Sequence, residues 1–348
     1  MTAPMKAAFL REPRCLAVEE APRPSAGPGD ILVRTAYCGV CTLEQRLYTG
    51  DRRLFYPIIP GHEAAGIIQE VGEDVKTGHQ AGDHVALDLV NRCHICPACL
   101  SGNSNMCENR FKKGQRVLGG FAEYILVRPD QAYVVPREIP LERIAFSEPL
   151  ACCIRSLKKV SLKLGENLLI IGAGPMGMLH LKAALLMGAR VIVADINKKR
   201  LADAESMGAD AVVDASDGGA AVEAVRGLTE TRGADCCIVA SPAPQALETA
   251  VNSLAPNGRI NIYTSYNDKP LLPLDMNSLH RIEALVTGSE GRSEEDFYQA
   301  TRLLSFGKIN TADLVSGIYP LEEAASAVEA ALSGAAYRIL LRMGGDSQ

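Results

Sequence analysis

The chain has 348 residues, a length that accommodates two domains, each with its own core. Apolar residues make up 47% and the mean hydropathy is +0.04, which suits a packed globular protein and excludes extended disorder. With a net charge of −5 and no segment in which Lys and Arg gather, there is no electrostatic footprint for nucleic acid, and a small molecule is the expected partner.

The first residues, MTAPMKAAFLREPRCL, contain no apolar run of signal-peptide length, and no stretch approaches eighteen apolar residues. The expectation is a cytoplasmic protein with no membrane partner. Eleven cysteines would suggest disulfides in a small secreted domain, but clustered cysteines in an intracellular chain point to metal.

Along residues 1 to about 150, Pro and Gly alternate with short β-favouring runs: ILVRTAYC, AAGIIQEVG, DHVALDLV and FAEYILVRP. They predict an irregular, mostly β domain. From Asn167 the pattern changes to LLII, a helical stretch at 175–187, VIVA, a helical stretch at 197–207, then AVVD, CCIVA, INIY and ALVT. Such alternation predicts a parallel, doubly wound sheet of the α/β class, its six runs matching the six strands of a dinucleotide-binding fold. After Ser289 come helical stretches near 294–305 and 321–332 and β-like runs at Val315–Tyr319 and in YRILLRM, with no further βαβ unit. These residues are expected to return to the first domain.

Within LLIIGAGPMGMLHLKAAL, Gly172, Gly174 and Gly177 follow a strand and open a helix in the G-x-G-x-x-G arrangement. A lone match of this kind is often only a tight turn. Here Gly172 would permit the turn, Gly174 would let the backbone approach a pyrophosphate, and Gly177 would let helix pack on strand, with Pro175 and Met176 in the helix's first turn, whose end attracts phosphate. The next strand ends at Asp195, placed to accept hydrogen bonds from an adenosine ribose and to repel a 2′-phosphate, which favours NAD. Arg200 either covers the adenosine edge or is a solvated helix-face charge.

Cys93, Cys96, Cys99 and Cys107 form C-x-x-C-x-x-C with a fourth cysteine eight positions on. Four thiolates complete tetrahedral zinc and leave no open position, the mark of a structural site; disulfides and an iron–sulfur cluster are the alternatives. His94 is redundant beside them. A second, dispersed group consists of Cys41, His62, Glu63 and Glu148. Each alone is unremarkable, yet together they offer the three protein ligands and exchangeable position that catalytic zinc needs.

With these residues in view, the sequence resembles the zinc-containing medium-chain dehydrogenase/reductase family, in its sorbitol (polyol) and threonine dehydrogenase-like branch. The resemblance rests on GVC at 39–41, GHEAAG at 61–66, the four-cysteine lobe, GGFAEY at 119–124, SEPL at 147–150 and GAGPMG at 172–177. It implies a GroES-like β-barrel over 1–151 and 290–348 that carries a catalytic zinc, and a Rossmann NAD-binding domain over 152–289, with the active site between them. By position it implies Cys41, His62, Glu63 and Glu148 as the catalytic zinc set and Cys93, Cys96, Cys99 and Cys107 as the structural one, hence two zinc ions per chain. It further implies a homodimer or homotetramer. Cys38, Cys152 and Cys153 fall outside the motif positions and are expected to pack in the core.

Two departures stand out. Where the family carries a Ser or Thr that passes the substrate proton, this chain has Leu43, with Thr42 beside it; where the family has a supporting Asp, it has Glu44. The reaction implied is hydride transfer between NAD and a secondary alcohol: a polyol, cyclitol, sugar acid or sugar phosphate. Glu148 or Glu63 would handle the proton in place of Leu43. Arg110, Lys112, Lys113 and Arg116 either meet an acidic group on such a substrate or form a solvated loop. Competing readings are a dehydrogenase of simple alcohols or amino-alcohols such as threonine, a zinc-free quinone or enoyl reductase, a zinc-ribbon binding module, and a catalytically inactive structural or regulatory homologue.

Overall fold

The structure is a computed structural model and describes residues 4–110, 118–266, 271 and 274–344. Lys112, Lys113 and Arg116 of the basic loop lie outside the described residues. The chain divides into two compact units, one of residues 1–151 and 292–348 and one of residues 152–291. It passes from the first to the second inside one helix, Ser147–Lys159.

In chain order the first unit contributes β1 (Pro4–Glu12), β2 (Cys15–Pro22), β3 (Ile31–Val40), β4 (Glu63–Val71), β5 (His84–Asp88), β6 (Tyr124–Val127) and β7 (Ala132–Val135). The second contributes β8 (Asn167–Ile171), β9 (Arg190–Asp195), β10 (Ala211–Asp214), β11 (Ala234–Val239), β12 (Leu254–Ile262) and β13 (Leu285–Gly288). Two last strands, β14 (Val315–Pro320) and β15 (Arg338–Arg342), belong again to the first unit.

The first unit is built around β3. One edge of β3 pairs with β4; the other pairs with β6 over Ile31–Arg34 and with β15 over Tyr37–Val40. The sheet runs β14-β15-β3-β4-β5-β7, and β1 with β2 forms a separate hairpin. Ile31, Val33, Ile68, Val85, Leu87, Phe121 and Leu341 fill the core between these strands. In the antiparallel register Gly39 of β3 stands opposite Glu63 of β4, and Glu63 stands opposite Asp88 of β5, so a row across three strands ends in two carboxylates.

The second unit is a six-stranded parallel sheet in the order β10-β9-β8-β11-β12-β13. Its central strands are near-continuous apolar runs because helices cover both faces, and Leu168, Leu169, Val191, Ile192, Cys237 and Ile238 are fully buried. The order reverses between β8 and β11, the switch point where such sheets bind ligands at the carboxyl ends of their strands. Among the described residues no helix is long and apolar enough to cross a membrane.

The six apolar runs read from the sequence are β8 to β13, and the four runs of the first 150 residues are β3 to β6. β1, β2, β7 and the helix Thr42–Thr49 are not among the expected elements. β1, β2 and the helix mix charged and apolar residues without clean alternation, and β7 is only the four residues AYVV; β2 carries CLAVEEAP with no fully buried residue.

Gly177 shows how tightly the second unit is closed. A Cβ there would lie 1.8 Å from the Gly172 carbonyl oxygen, a backbone atom that cannot yield. Gly177→Ala is therefore expected to destabilise the protein by about 1–3 kcal/mol, read as a fall in the thermal unfolding midpoint together with weakened dinucleotide binding.

Candidate metal centre and dinucleotide loop

Cys41 ends β3 and serves as the N-cap of the helix Thr42–Thr49, its Sγ accepting the backbone N–H of Leu43 at 3.2 Å. The third residue of that helix, Glu44, closes a capping box by accepting the N–H of Cys41 at 3.1 Å. The same carboxylate accepts the N–H of Gly61 at 3.2 Å and binds His62 Nδ1 at 2.8 Å. Glu44 thus ties together both segments that supply donors.

With Nδ1 committed to Glu44, the free imidazole nitrogen of His62 is Nε2, 3.7 Å from Cys41 Sγ and 3.9 Å from Glu148 Oε1. Glu63 follows on β4, directly opposite Gly39, where a Cβ would meet its Oε2 at 2.0 Å. The glycine of the GVC motif is what leaves room for that carboxylate. One ligand atom each from Cys41, His62 and Glu63 lies within 4.8 Å of the others. Arg338 of β15 pairs with Glu63 Oε1 at 3.2 Å and also donates to the Val40 carbonyl.

The electrostatics of this group show an excess of negative charge. Burial, and after it the Glu44 carboxylate, pushes the Cys41 thiol up to about 11. Burial likewise raises Glu63 to about 7, against the pull of Arg338. For His62 burial works against the charge, yet Glu44 and then Cys41 carry its pKa well above the usual value. A thiolate, an imidazole with its far nitrogen anchored and a carboxylate form a donor set that a divalent cation fits in both chemistry and charge.

Glu148 starts the helix Ser147–Lys159 and is buried, but its Oε1 is held by Arg292. Thr42 is exposed in the first helical turn, outside the donor set, and Leu43 is half-buried and packs against the barrel core. No hydroxyl from this turn joins the donors. Cys38 is fully buried, its Sγ 2.7 Å from where a Cβ on Gly120 would stand; Cys152 and Cys153 are buried in the helix, and none of the three joins a metal-donor group.

The second group, Cys93, Cys96, Cys99 and Cys107, also brings its sulfurs within 4.8 Å of one another. The lobe contains a short helix, Pro97–Leu100, and a 3-10 turn, Ser104–Met106. The Ile95 N–H, foremost, lowers the Cys93 thiol to about 6, whereas burial raises Cys99 to about 12. The N–H groups of Cys93 and Asn109 both donate to Cys107 Sγ at 3.4 Å. His94 turns away to Asp130 at 3.1 Å. Arg110 donates to the Asn105 carbonyl within the lobe.

In the second unit Gly172 has φ 108 and the helix Pro175–Leu186 begins at Gly174 without a side-chain cap. Among the described residues beyond its own chain neighbours, a Cβ on Gly174 would meet Nη1 of Arg200 at 3.9 Å, which leaves space at the turn for an anion beside Arg200. Pro175 and Met176 are half-buried in the first turn, and the Met176 carbonyl binds His180 Nδ1 at 2.7 Å. Asp195, at the end of β9, accepts the Ala173 N–H at 2.6 Å and the Asn197 N–H at 2.8 Å, which fixes its carboxylate beside the turn.

The residues that sequence reasoning missed are four buried charges: Asp88, Arg92, Arg292 and Arg338. Asp88 in HVALDLV and Arg338 in YRILLRM carried a signal, since a charge inside an apolar strand has to be paired. Arg92 and Arg292 lie in polar loops and carried none.

A dinucleotide-type parallel sheet joined to a barrel with two metal-donor sets defines a metal-assisted oxidoreductase. The profile described as Zinc-binding dehydrogenase matches residues 175–305, and that described as Alcohol dehydrogenase GroES-like domain matches residues 27–137. Sorbitol dehydrogenase of Halalkalibacterium halodurans is 30% identical over 331 residues, 93% of this chain and 95% of the relative. L-threonine 3-dehydrogenase of Pyrococcus abyssi is 33% identical over 303 residues, 85% of this chain and 86% of the relative. A Sinorhizobium meliloti chain solved bound to NADP superposes with a TM-score of 0.92 at 29% identity, covering 98% of this chain and 100% of that one. The chain belongs to the zinc-containing medium-chain alcohol dehydrogenase family, with its GroES-like and Rossmann-type domains.

Proposed function

We propose that this chain oxidises a polyhydroxylated secondary alcohol, or reduces the corresponding ketone, with NAD and a catalytic zinc. The observation that carries the reading is the clustered trio of Cys41, His62 and Glu63, three donors of the right chemistry with one tetrahedral position left over. Zinc, when bound, supplies a Lewis acid to the substrate oxygen, and NAD the hydride acceptor. The second zinc, in the four-cysteine lobe, is structural, because four thiolates close its shell.

The chain's own residues orient and move the proton. Glu44 fixes the His62 ring and its tautomer through Nδ1, so that Nε2 faces the donor set. In this reading a carboxylate, Glu148 or Glu63, accepts the substrate proton; the reading is supported by an apolar Leu43, an exposed Thr42 and the nearness of Glu148 to His62 Nε2 at 3.9 Å. Gly172, Gly174 and the helix start at Pro175 cradle the pyrophosphate, Arg200 covers it, and Asp195 receives the adenosine ribose and repels a 2′-phosphate. The polyol class is supported by the carboxylate-rich donor set and by kinship with sorbitol dehydrogenase. The 33% identity to an L-threonine 3-dehydrogenase supports an amino-alcohol as second reading.

Metal analysis and a rate screen test the proposal. About two zinc ions per chain, with NAD-dependent turnover of sugar alcohols, cyclitols or sugar acids exceeding that of threonine and simple alcohols, is the expected outcome. Two zinc ions with threonine preferred would favour the second reading; zinc confined to the four-cysteine lobe and no turnover would sink both.

Asp195→Ser removes charged hydrogen bonds worth ~1.5–3 kcal/mol and should lower the NAD-over-NADP ratio of kcat/KM about tenfold or more. Glu148→Gln, with zinc retained, should reduce turnover roughly 10²-fold or more and flatten its pH profile; an unchanged rate and profile would assign the proton to Glu63.

A further inference from the structure

Four buried charges form one connected unit beside the Cys41 trio. Asp88, fully buried at the end of β5, binds Arg92 Nη1 through Oδ2 at 2.7 Å and Arg292 Nη2 through Oδ1 at 2.7 Å. Arg292 Nε reaches the same Oδ1 at 3.1 Å, and Arg292 Nη1 grips Glu148 Oε1. Arg92 Nη2 donates to the Arg292 carbonyl at 3.0 Å, so the residue is fixed at its main chain as well as at its guanidinium. Relative exposures of 0% for Asp88, 4% for Arg92, 5% for Arg292 and 6% for Glu148 leave little solvent to substitute for any partner.

The carboxylate oxygen that Arg292 holds is the one 3.9 Å from His62 Nε2. Glu148 thus has a natural alternative role as a fourth donor, which would complete a tetrahedron of protein ligands and close the site to exchange. It is nevertheless absent from the mutually close donor group, which contains only Cys41, His62 and Glu63. A guanidinium fork spans two carboxylates at once, whereas a single ammonium does not. Asp88 holds one side of the fork on a rigid strand, opposite Glu63, and so fixes where the other side stands.

Resting on the reading of Cys41, His62 and Glu63 as zinc ligands, we propose that Arg292, anchored by Asp88 and Arg92, is a positioning residue that withholds Glu148 from the metal. It thereby keeps the fourth coordination position exchangeable. Removal of the fork removes this hold on the Glu148 oxygen nearest His62 Nε2, while Asp88 keeps Arg92 as partner.

Cobalt(II) substitution of the full-length protein tests this without relying on activity. The visible spectrum reports coordination, its response to added imidazole reports an open position, and the rate of cobalt release to a chelator reports closure. In the wild type, imidazole should perturb the spectrum. In Arg292→Met, that response should be lost and release slowed; Arg292→Met combined with Glu148→Gln should restore both. Arg292→Lys, which keeps a charge but not the fork, should shift in the same direction and serves if the methionine variant does not fold. Wild-type spectra and release rates in the folded Arg292 variants would overturn the proposal, as would loss of the imidazole response that persists in the double variant. A wild type that takes up cobalt only at the four-cysteine lobe would instead overturn the underlying assignment of the Cys41 trio.

Discussion

The first unit is organised by the need to neutralise acidic side chains that its sheet buries in one place. Register sets Glu63 directly opposite Asp88, and carboxylates on facing strand positions repel. Burying them is tolerable only with partners that bring charge and hydrogen bonds. Arg338 supplies this to Glu63, and Arg92 with Arg292 supply it to Asp88. Two of these arginines come from the last sixty residues, so the C-terminal segment is required to return to the barrel after the parallel sheet is complete. Even with three arginines, burial still raises Cys41 and Glu63, and Glu44 adds to the rise at Cys41.

The two units prepare their sites by different physical means. In the first, the donors and their neighbouring carboxylate sit on rigid elements: Cys41 where a strand meets a helix, His62 and Glu63 where β4 begins, and beside them Glu148 in the first turn of a helix. Each is held by a further partner, namely the Leu43 N–H, Glu44, Arg338 and Arg292. In the second, the site is made from backbone and vacancy. Gly177 allows the helix to rest on the turn, Gly174 leaves space above it, and the uncapped helix start offers N–H groups to an anion. A cation site is thus set by side-chain geometry and an anion site by main-chain shape.

The departures from the family pattern acquire definite meaning in this setting. Glu44 is no loose replacement of an aspartate, since it accepts three donors from two segments. Leu43 has joined the hydrophobic packing of the barrel, and its contribution to the metal-donor set is confined to its backbone N–H. The geometry of the neighbouring carboxylate Glu148 is set by how Arg292 holds it.

What the sequence determined by itself was whatever depends on near neighbours. Strand runs buried on both faces read as LLII or VIVA; the glycine turn is set by spacing of two and three residues; and the cysteine lobe is closed by ligands within fifteen positions of one another. Motif order also placed Cys41, His62, Glu63 and Glu148 in one chemistry. Only the tertiary structure decided the partners that stabilise them. Asp88 and Arg292 are separated by 204 residues, and Glu63 meets Arg338 across an even longer stretch. Such pairings follow from strand register and from the return of the chain to its first unit, and no local pattern encodes them. The partner of Glu148, Arg292, lies 144 residues further along the chain, and packing alone brings the two together.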